Sequence, residues 1–294
     1  MKIKKGLTWG YMAGIVSGIA YGMNPLFGKP ILQEGVNVYN LLFYRYAIAM
    51  AILAIMMVVR KNSFQINKKQ FCHLSLVGFL FTICSITLFA SYNYLPSGIA
   101  TTILYVYPIM VALIMLIYKE YPSWQTWVSI FAGVVGAMFL SFSGDTGILN
   151  PIGLALIFVS ALAYALLVVV LNRSSEVKKM SNVTISFYNF LFGSIILAVL
   201  TIATGNFQIL PSTSCWLNIV GLAFLPTAVA TIALSTSSKI IGATKTSILG
   251  ILEPLTAIFI GCVIFREPFT LRVAIGIALI LFAILFMVLT KEKK

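Results

Sequence analysis

Runs of about twenty apolar residues, parted by short polar joints, repeat along the whole chain. A helix needs about 20 such residues to cross a bilayer, so the runs predict ten helices near 8–27, 37–59, 72–92, 98–118, 124–142, 150–171, 183–204, 215–237, 242–265 and 269–289. The joints leave no room for a soluble domain. One run, from Ser247 to Pro268, reads SILGILEPLTAIFIGCVIFREP and carries Glu253 followed by Pro254 near its centre. A carboxylate at that depth costs a few kcal/mol unless it faces protein or a wet cavity, so Glu253 points to function by default.

The pattern occurs twice. Pro108 and Pro122 stand 14 residues apart, as Pro254 and Pro268 do, and an acid (Glu120, Glu267) just precedes the second proline in each frame. Gly10 and Ala20-Tyr21 match Gly153 and Ala163-Tyr164 at an offset of 143; Phe43-Tyr44 matches Phe187-Tyr188 at 144; the prolines match at 146. This drift is small enough to predict two homologous halves, residues 1–145 and 146–294, of five helices each. Five is odd, so the second half enters the membrane upside down. Inverted repeats of this kind characterise secondary transporters with alternating access.

Composition agrees with an all-α integral membrane protein. Of 294 residues, 60% are hydrophobic and 9% charged, and the mean hydropathy is +1.02. The net charge of +13 would suggest nucleic acid in a soluble chain, but the basic residues alternate from joint to joint. Fifteen Lys and Arg, among them Lys4, Arg60, Lys69, Lys119, Arg173, Lys179 and Lys293, fall on the side of the N-terminus, against Lys29, Arg266 and Arg272 on the other. The positive-inside rule then places both termini of this multi-pass chain in the cytoplasm. No nucleic-acid partner is expected. The cysteines (Cys72, Cys84, Cys215, Cys262) lack metal-ligand spacing, His73 is the sole histidine, and no metal or cofactor site is expected. The basic start followed by an apolar run has no clear cleavage site and has an internal counterpart, so it is expected to remain as the first helix.

A proline in mid-helix followed by an acid-proline turn, carried by Pro108, Glu120 and Pro122 and again by Glu253-Pro254, Glu267 and Pro268, resembles the EamA-type permeases of the drug/metabolite transporter superfamily. The resemblance covers both halves. It implies an inner-membrane carrier of amino acids or other small metabolites, often an exporter, with a cavity between the halves, and no particular substrate. Tyr107 stands where the other half has Glu253, so a site on the pseudo-axis would be chemically lopsided.

Few residues could carry chemistry. No phosphate loop, H-E-x-x-H or G-x-S-x-G occurs, so transport must follow a gradient of the substrate or of a coupled ion such as the proton. Glu253 reads as a proton carrier, a counter-ion for a substrate amine, or a structural hydrogen-bonding group. Pro254 leaves the Gly250 carbonyl without its helical donor, which suits a cavity. Thr246, Gly250, Glu253, Ala257 and Gly261 form a small and polar stripe expected to look inward. Arg45 either snorkels to the interface or faces the cavity; its depth, about 12 Å below the outer boundary, matches that of Glu253, so the two could hold the carboxylate and ammonium of an amino-acid-like substrate. Tyr21, Tyr105, Tyr107 and Tyr164 are candidate cavity walls. Tyr105 and Tyr107, two apart on a continuous helix, point to opposite faces, so at most one should line a cavity. Gly10, Gly14, Gly18 and Gly22 recur every fourth residue and predict a groove for close helix packing, and Pro108 and Pro254 are candidate hinges. The leading expectation is therefore a non-enzymatic secondary transporter of small metabolites. A lipid flippase-like carrier or a passive channel is the alternative, and a membrane enzyme lacks the clustered His, Asp or Glu it would need.

Overall fold

The computed structural model describes residues 2–119, 124–141, 149–205, 207–241, 246, 249–250 and 252–289. Glu120, Pro122, Lys245 and the expected boundary between the halves lie outside them. Among the described residues every regular element is helical. In chain order these are α1 (Lys2–Gly22), α2 (Asn24–Gln33), α3 (Val38–Val59), α4 (Lys68–Ser91), α5 (Ser97–Leu104), α6 (Tyr107–Ile117), α7 (Trp124–Ser141), α8 (Pro151–Arg173), α9 (Ser175–Lys178), α10 (Asn182–Ala203), α11 (Thr213–Ala223), a π-helical turn (Phe224–Val229), α12 (Ala230–Ile241), α13 (Leu252–Val263) and α14 (Leu271–Leu289).

Among the described residues, six helical stretches are long and apolar enough to cross a membrane: Val38–Val59, Lys68–Ser91, Ser97–Ile117, Pro151–Leu171, Asn182–Ala203 and Thr213–Leu234. Shorter apolar helices, Leu252–Val263 and Leu271–Ala283, accompany them. Polar side chains set the starts. Asn67 and Gln70 form a reciprocal capping box at α4, and Asn37, Asn150 and Ser181 accept from the first free N–H groups of α3, α8 and α10, which have no partner inside a helix. Large apolar side chains such as Ile55, Val59, Phe131, Leu217 and Leu271 remain exposed, as a lipid-facing surface requires.

Several expected single helices are broken, each at a residue that cannot continue the ladder. The first run divides at Met23, with Pro25 in the first turn of α2. The run from 98 to 118 stops at Leu104 and restarts at Tyr107, ahead of Pro108, because proline has no N–H for the carbonyl four residues back. The run from 215 to 237 widens into the π-helical turn around Pro226. Here the Thr227 hydroxyl donates to the Leu222 carbonyl at 2.8 Å, the group Pro226 leaves unserved.

The helices pair across the middle of the chain. α1 packs on α12, α3 on α10, α4 on α8, α5 on α13 and α7 on α14. Contacts between the two parts are reciprocal. Phe43 meets Phe207 edge-on at 6.3 Å, and Phe187 meets Phe64 at 5.4 Å; the Tyr44 hydroxyl donates to the Gln208 carbonyl, and that of Tyr188 to the Phe64 carbonyl. A Cβ on Gly10 would strike Ile240 and Ile241, and one on Gly153 would strike Tyr94 and Leu95. Left-handed residues follow helix ends: Lys61 after α3, Lys119 after α6, Gly205 after α10 and Arg266 after α13.

Candidate functional site

The first turn of α13 places Glu253 at the wall of a chamber of about 80 Å³. Its Oε2 lies 2.8 Å from the Tyr105 hydroxyl, which also donates to the Gly250 carbonyl at 2.6 Å. Pro254 cannot donate to that carbonyl, which takes the Glu253 N–H at 3.0 Å and, from the facing segment, the Tyr105 hydroxyl. Arg45 lines the same chamber from α3. It is 4% exposed, its Nε donates to Thr227 Oγ1 at 2.9 Å, and its guanidinium lies 5.3 Å from the centre of the Phe89 ring. Between the two expectations for Arg45, snorkelling or facing the interior, the geometry takes the second. Both charged residues thus contact hydroxyls that also donate to the carbonyl four residues before a proline, Gly250 before Pro254 and Leu222 before Pro226. Arg45 and Glu253 share the chamber, but among the described residues no ion pair joins them.

Four tyrosines complete the wall. The Tyr21 hydroxyl is 2.9 Å from Thr231 Oγ1, and the ring of Tyr107 stands edge-on to Tyr164 at 4.5 Å and to Tyr105 at 5.8 Å. Tyr105 and Tyr107 both line the chamber, against the expectation that at most one could. The reason is the break after Leu104: Tyr105 and Val106 are turn residues, so the rotation of about 100° per residue that separates helical neighbours does not apply across them.

Two larger chambers, of about 510 and 460 Å³, adjoin this one and share Tyr21 and Tyr164 with it. Both reach Leu171 and Asn182, at the end of the bundle where α8 finishes and α10 begins. Elsewhere, Lys29 of α2 and Glu267 meet at 2.6 Å. Glu267 also accepts from the Ser97 N–H and hydroxyl and from the Gly98 N–H, so the acid of the second acid-proline turn caps α5. Burial pushes the Glu267 carboxyl up, but the Lys29 ammonium and the Ser97 donors outweigh it and hold it below its ordinary value of 4.5.

The glycines of α1 lie against the second part of the chain. A Cβ on Gly14 would come within 2.7 Å of Ser237 Oγ, on Gly18 within 2.8 Å of the Leu249 carbonyl, and on Gly22 within 2.5 Å of the Glu253 carbonyl. Asn24, Thr227 and Phe89 carry no sequence motif, and they and the pairing of Lys29 with Glu267 emerge only from the folded arrangement. Asn24 lines the charged chamber with a buried Oδ1 that has no protein partner.

Such a bundle of apolar helices around charged and aromatic chambers is that of a membrane transporter. The EamA-like transporter family model matches residues 8–142 and 151–289, and the chain belongs to that family. It is 30% identical over 188 residues to an uncharacterized transporter of Archaeoglobus fulgidus, an alignment covering 64% of this chain and 66%, just under two thirds, of that protein. It is 24% identical over 276 residues to the uncharacterized transporter YdfC of Bacillus subtilis, covering 93% and 86%. A solved crystal structure superposes with a TM-score of 0.68 at 15% identity, covering 94% of this chain and 95% of that one, and so shares the fold.

Proposed function

We propose that the protein is a secondary transporter of small metabolites, exporting amino acids or related zwitterions by alternating access across the inner membrane, with both termini in the cytoplasm. The observation that carries this reading is the placement of Arg45 and Glu253 in one small chamber walled by tyrosines. Opposite charges in a low-dielectric site suit the carboxylate and ammonium of one solute, and Glu253 is the group to carry a coupled proton.

The architecture proposed is ten membrane helices in two inverted five-helix units, residues 1–145 and 146–294, with Pro108 and Pro254 as hinges. The reciprocal contacts support it: when residue i of one unit meets j of the other, and j of the first meets i of the second, a two-fold axis relates them. The family match over two consecutive stretches and the matched left-handed helix ends agree. With this topology the larger chambers extend toward the basic segment around Lys179, the cytoplasmic side, while Lys29 and Glu267 fasten the outer side. The conformation is then inward-facing.

Proteoliposome flux tests the reading. Saturable uptake of labelled amino acids, accelerated by the same amino acid inside the vesicle, is expected; linear, non-saturable flux would indicate a channel, and phospholipid scrambling without solute counterflow a flippase-like carrier.

A further inference from the structure

Asn189 follows Phe187-Tyr188 as Arg45 follows Phe43-Tyr44, so the duplication sets Asn189 where the other half has the buried arginine. The helices bearing them, α3 and α10, pack on each other. The next pair in the same register, Tyr46 and Phe190, touch at 5.1 Å, which places Arg45 and Asn189 beside the line relating the two halves. Counted from the start of α10, seven residues at 1.5 Å put Asn189 about 10 Å inside its end, the counterpart of Arg45 seen from the other face.

Asn189 is 9% exposed, and its Oδ1 is buried with no protein partner. Structural asparagines here return their amides to nearby backbone: Asn24 donates to the Tyr21 carbonyl and Asn218 to that of Ser214. Asn189 instead lines the chamber of about 510 Å³, with Ser186 and Asn182 on the same face of α10. Val77, Leu167 and Leu171 stand among the other walls, and no acidic or basic side chain lines this chamber among the described residues. An uncharged space of mixed apolar and hydroxyl or amide side chains, with one buried acceptor unanswered, fits the body of a solute rather than its charged end.

We infer that Asn189 is a specificity-determining substrate residue: its side-chain amide oxygen takes an N–H or O–H donor on the body of a zwitterion whose charged end lies at Arg45 and Glu253. The inference rests on the transport reading above. A site built to hydrogen-bond a substrate donor disfavours an analogue lacking it far more than an apolar pocket disfavours a missing methylene.

Counterflow in proteoliposomes, measured for tyrosine against phenylalanine and for glutamine against methionine, tests it. Wild-type protein should prefer the donor-bearing member of at least one pair by about tenfold or more. Asn189→Leu should bring that ratio close to one while flux of the donor-free member persists, and Asn189→Asp, which keeps an acceptor, should retain the preference. Wild-type flux without preference in either pair, or a ratio unchanged in Asn189→Leu, overturns the inference and leaves the transport reading standing. Absence of amino-acid counterflow in wild-type protein overturns both. Should Asn189→Leu not fold, Asn189→Ala gives the same comparison.

Discussion

Lys29 Nζ and Glu267 Oε1 lie 2.6 Å apart, and through Ser97 and Gly98 the same carboxylate closes the N-terminus of α5. One acid therefore ties α2, α5 and the segment after α13 together. Glu267→Gln leaves the Lys29 ammonium, 17% exposed, without its counter-charge, and is expected to cost on the order of 2–3 kcal/mol in detergent unfolding. Because the folded carboxyl titrates below its ordinary 4.5, its contribution is complete above that pH and fades as pH falls through the depressed value. The gap in melting temperature between wild type and Glu267→Gln should thus be full at pH 6–7 and shrink below about pH 4. A gap independent of pH would show that the ion pair does not stabilise the fold.

Arg45→Gln and Glu253→Gln should each abolish saturable counterflow while the protein still inserts and runs as one species in gel filtration. Glu253→Gln keeps the shape and loses the charge, whereas Arg45→Gln loses the charge together with the guanidinium donors, among them the one to Thr227. Undiminished flux in either variant would remove that residue from the site.

The glycines of α1 should tolerate substitution unequally. At Gly14 part of the obstruction is the flexible Leu249 side chain; at Gly18 and Gly22 it includes backbone carbonyls, those of Leu249 and Glu253. Alanine at Gly22 is expected to destabilise by about 1–3 kcal/mol and to impair transport by displacing Glu253, with Gly18 similar and Gly14 milder. Leucine at Gly14 and Gly18 together should block transport. Equal melting temperatures for Gly14→Ala and Gly22→Ala would contradict this ranking.

Tyr105→Phe removes one of two donors to the Gly250 carbonyl, which keeps the Glu253 N–H, together with the contact to Glu253, at a cost of about 1 kcal/mol. Loss of stability together with a changed KM is expected, whereas Tyr107→Phe, whose described contacts are ring to ring, should melt near wild type. Indistinguishable stability in the two variants would show that the Tyr105 hydroxyl has no structural part.

Much of this was legible in the sequence because apolar length and glycine spacing are local properties. Glu253 stood out as an acid in an apolar run, and its proline named the carbonyl, Gly250, that needed another donor. That one such donor is Tyr105, 145 residues away, is a tertiary fact with no local trace. Tyr105 and Tyr107 were assigned to opposite faces because a helix was assumed to run through Pro108, although proline itself signalled the break. That Glu267 caps α5 has no local trace either, since nothing in its sequence neighbourhood points to Ser97. Asn189 could have been found from the sequence by setting it beside Arg45 in the repeat, a comparison that needs only the two Phe-Tyr pairs.

The pairing of α1 with α12, α3 with α10, α4 with α8, α5 with α13 and α7 with α14 bears on how the chain is made. During synthesis the first five runs leave the ribosome before their partners exist, and glycine grooves and polar side chains such as Arg45 must wait in lipid or with chaperones until the later runs arrive. A fragment ending at Ser141 should accordingly be degraded when produced alone and be rescued when the remainder is supplied as a separate polypeptide. The assembling unit is then the pair of halves, and what joins them in one gene need be no more than a tether.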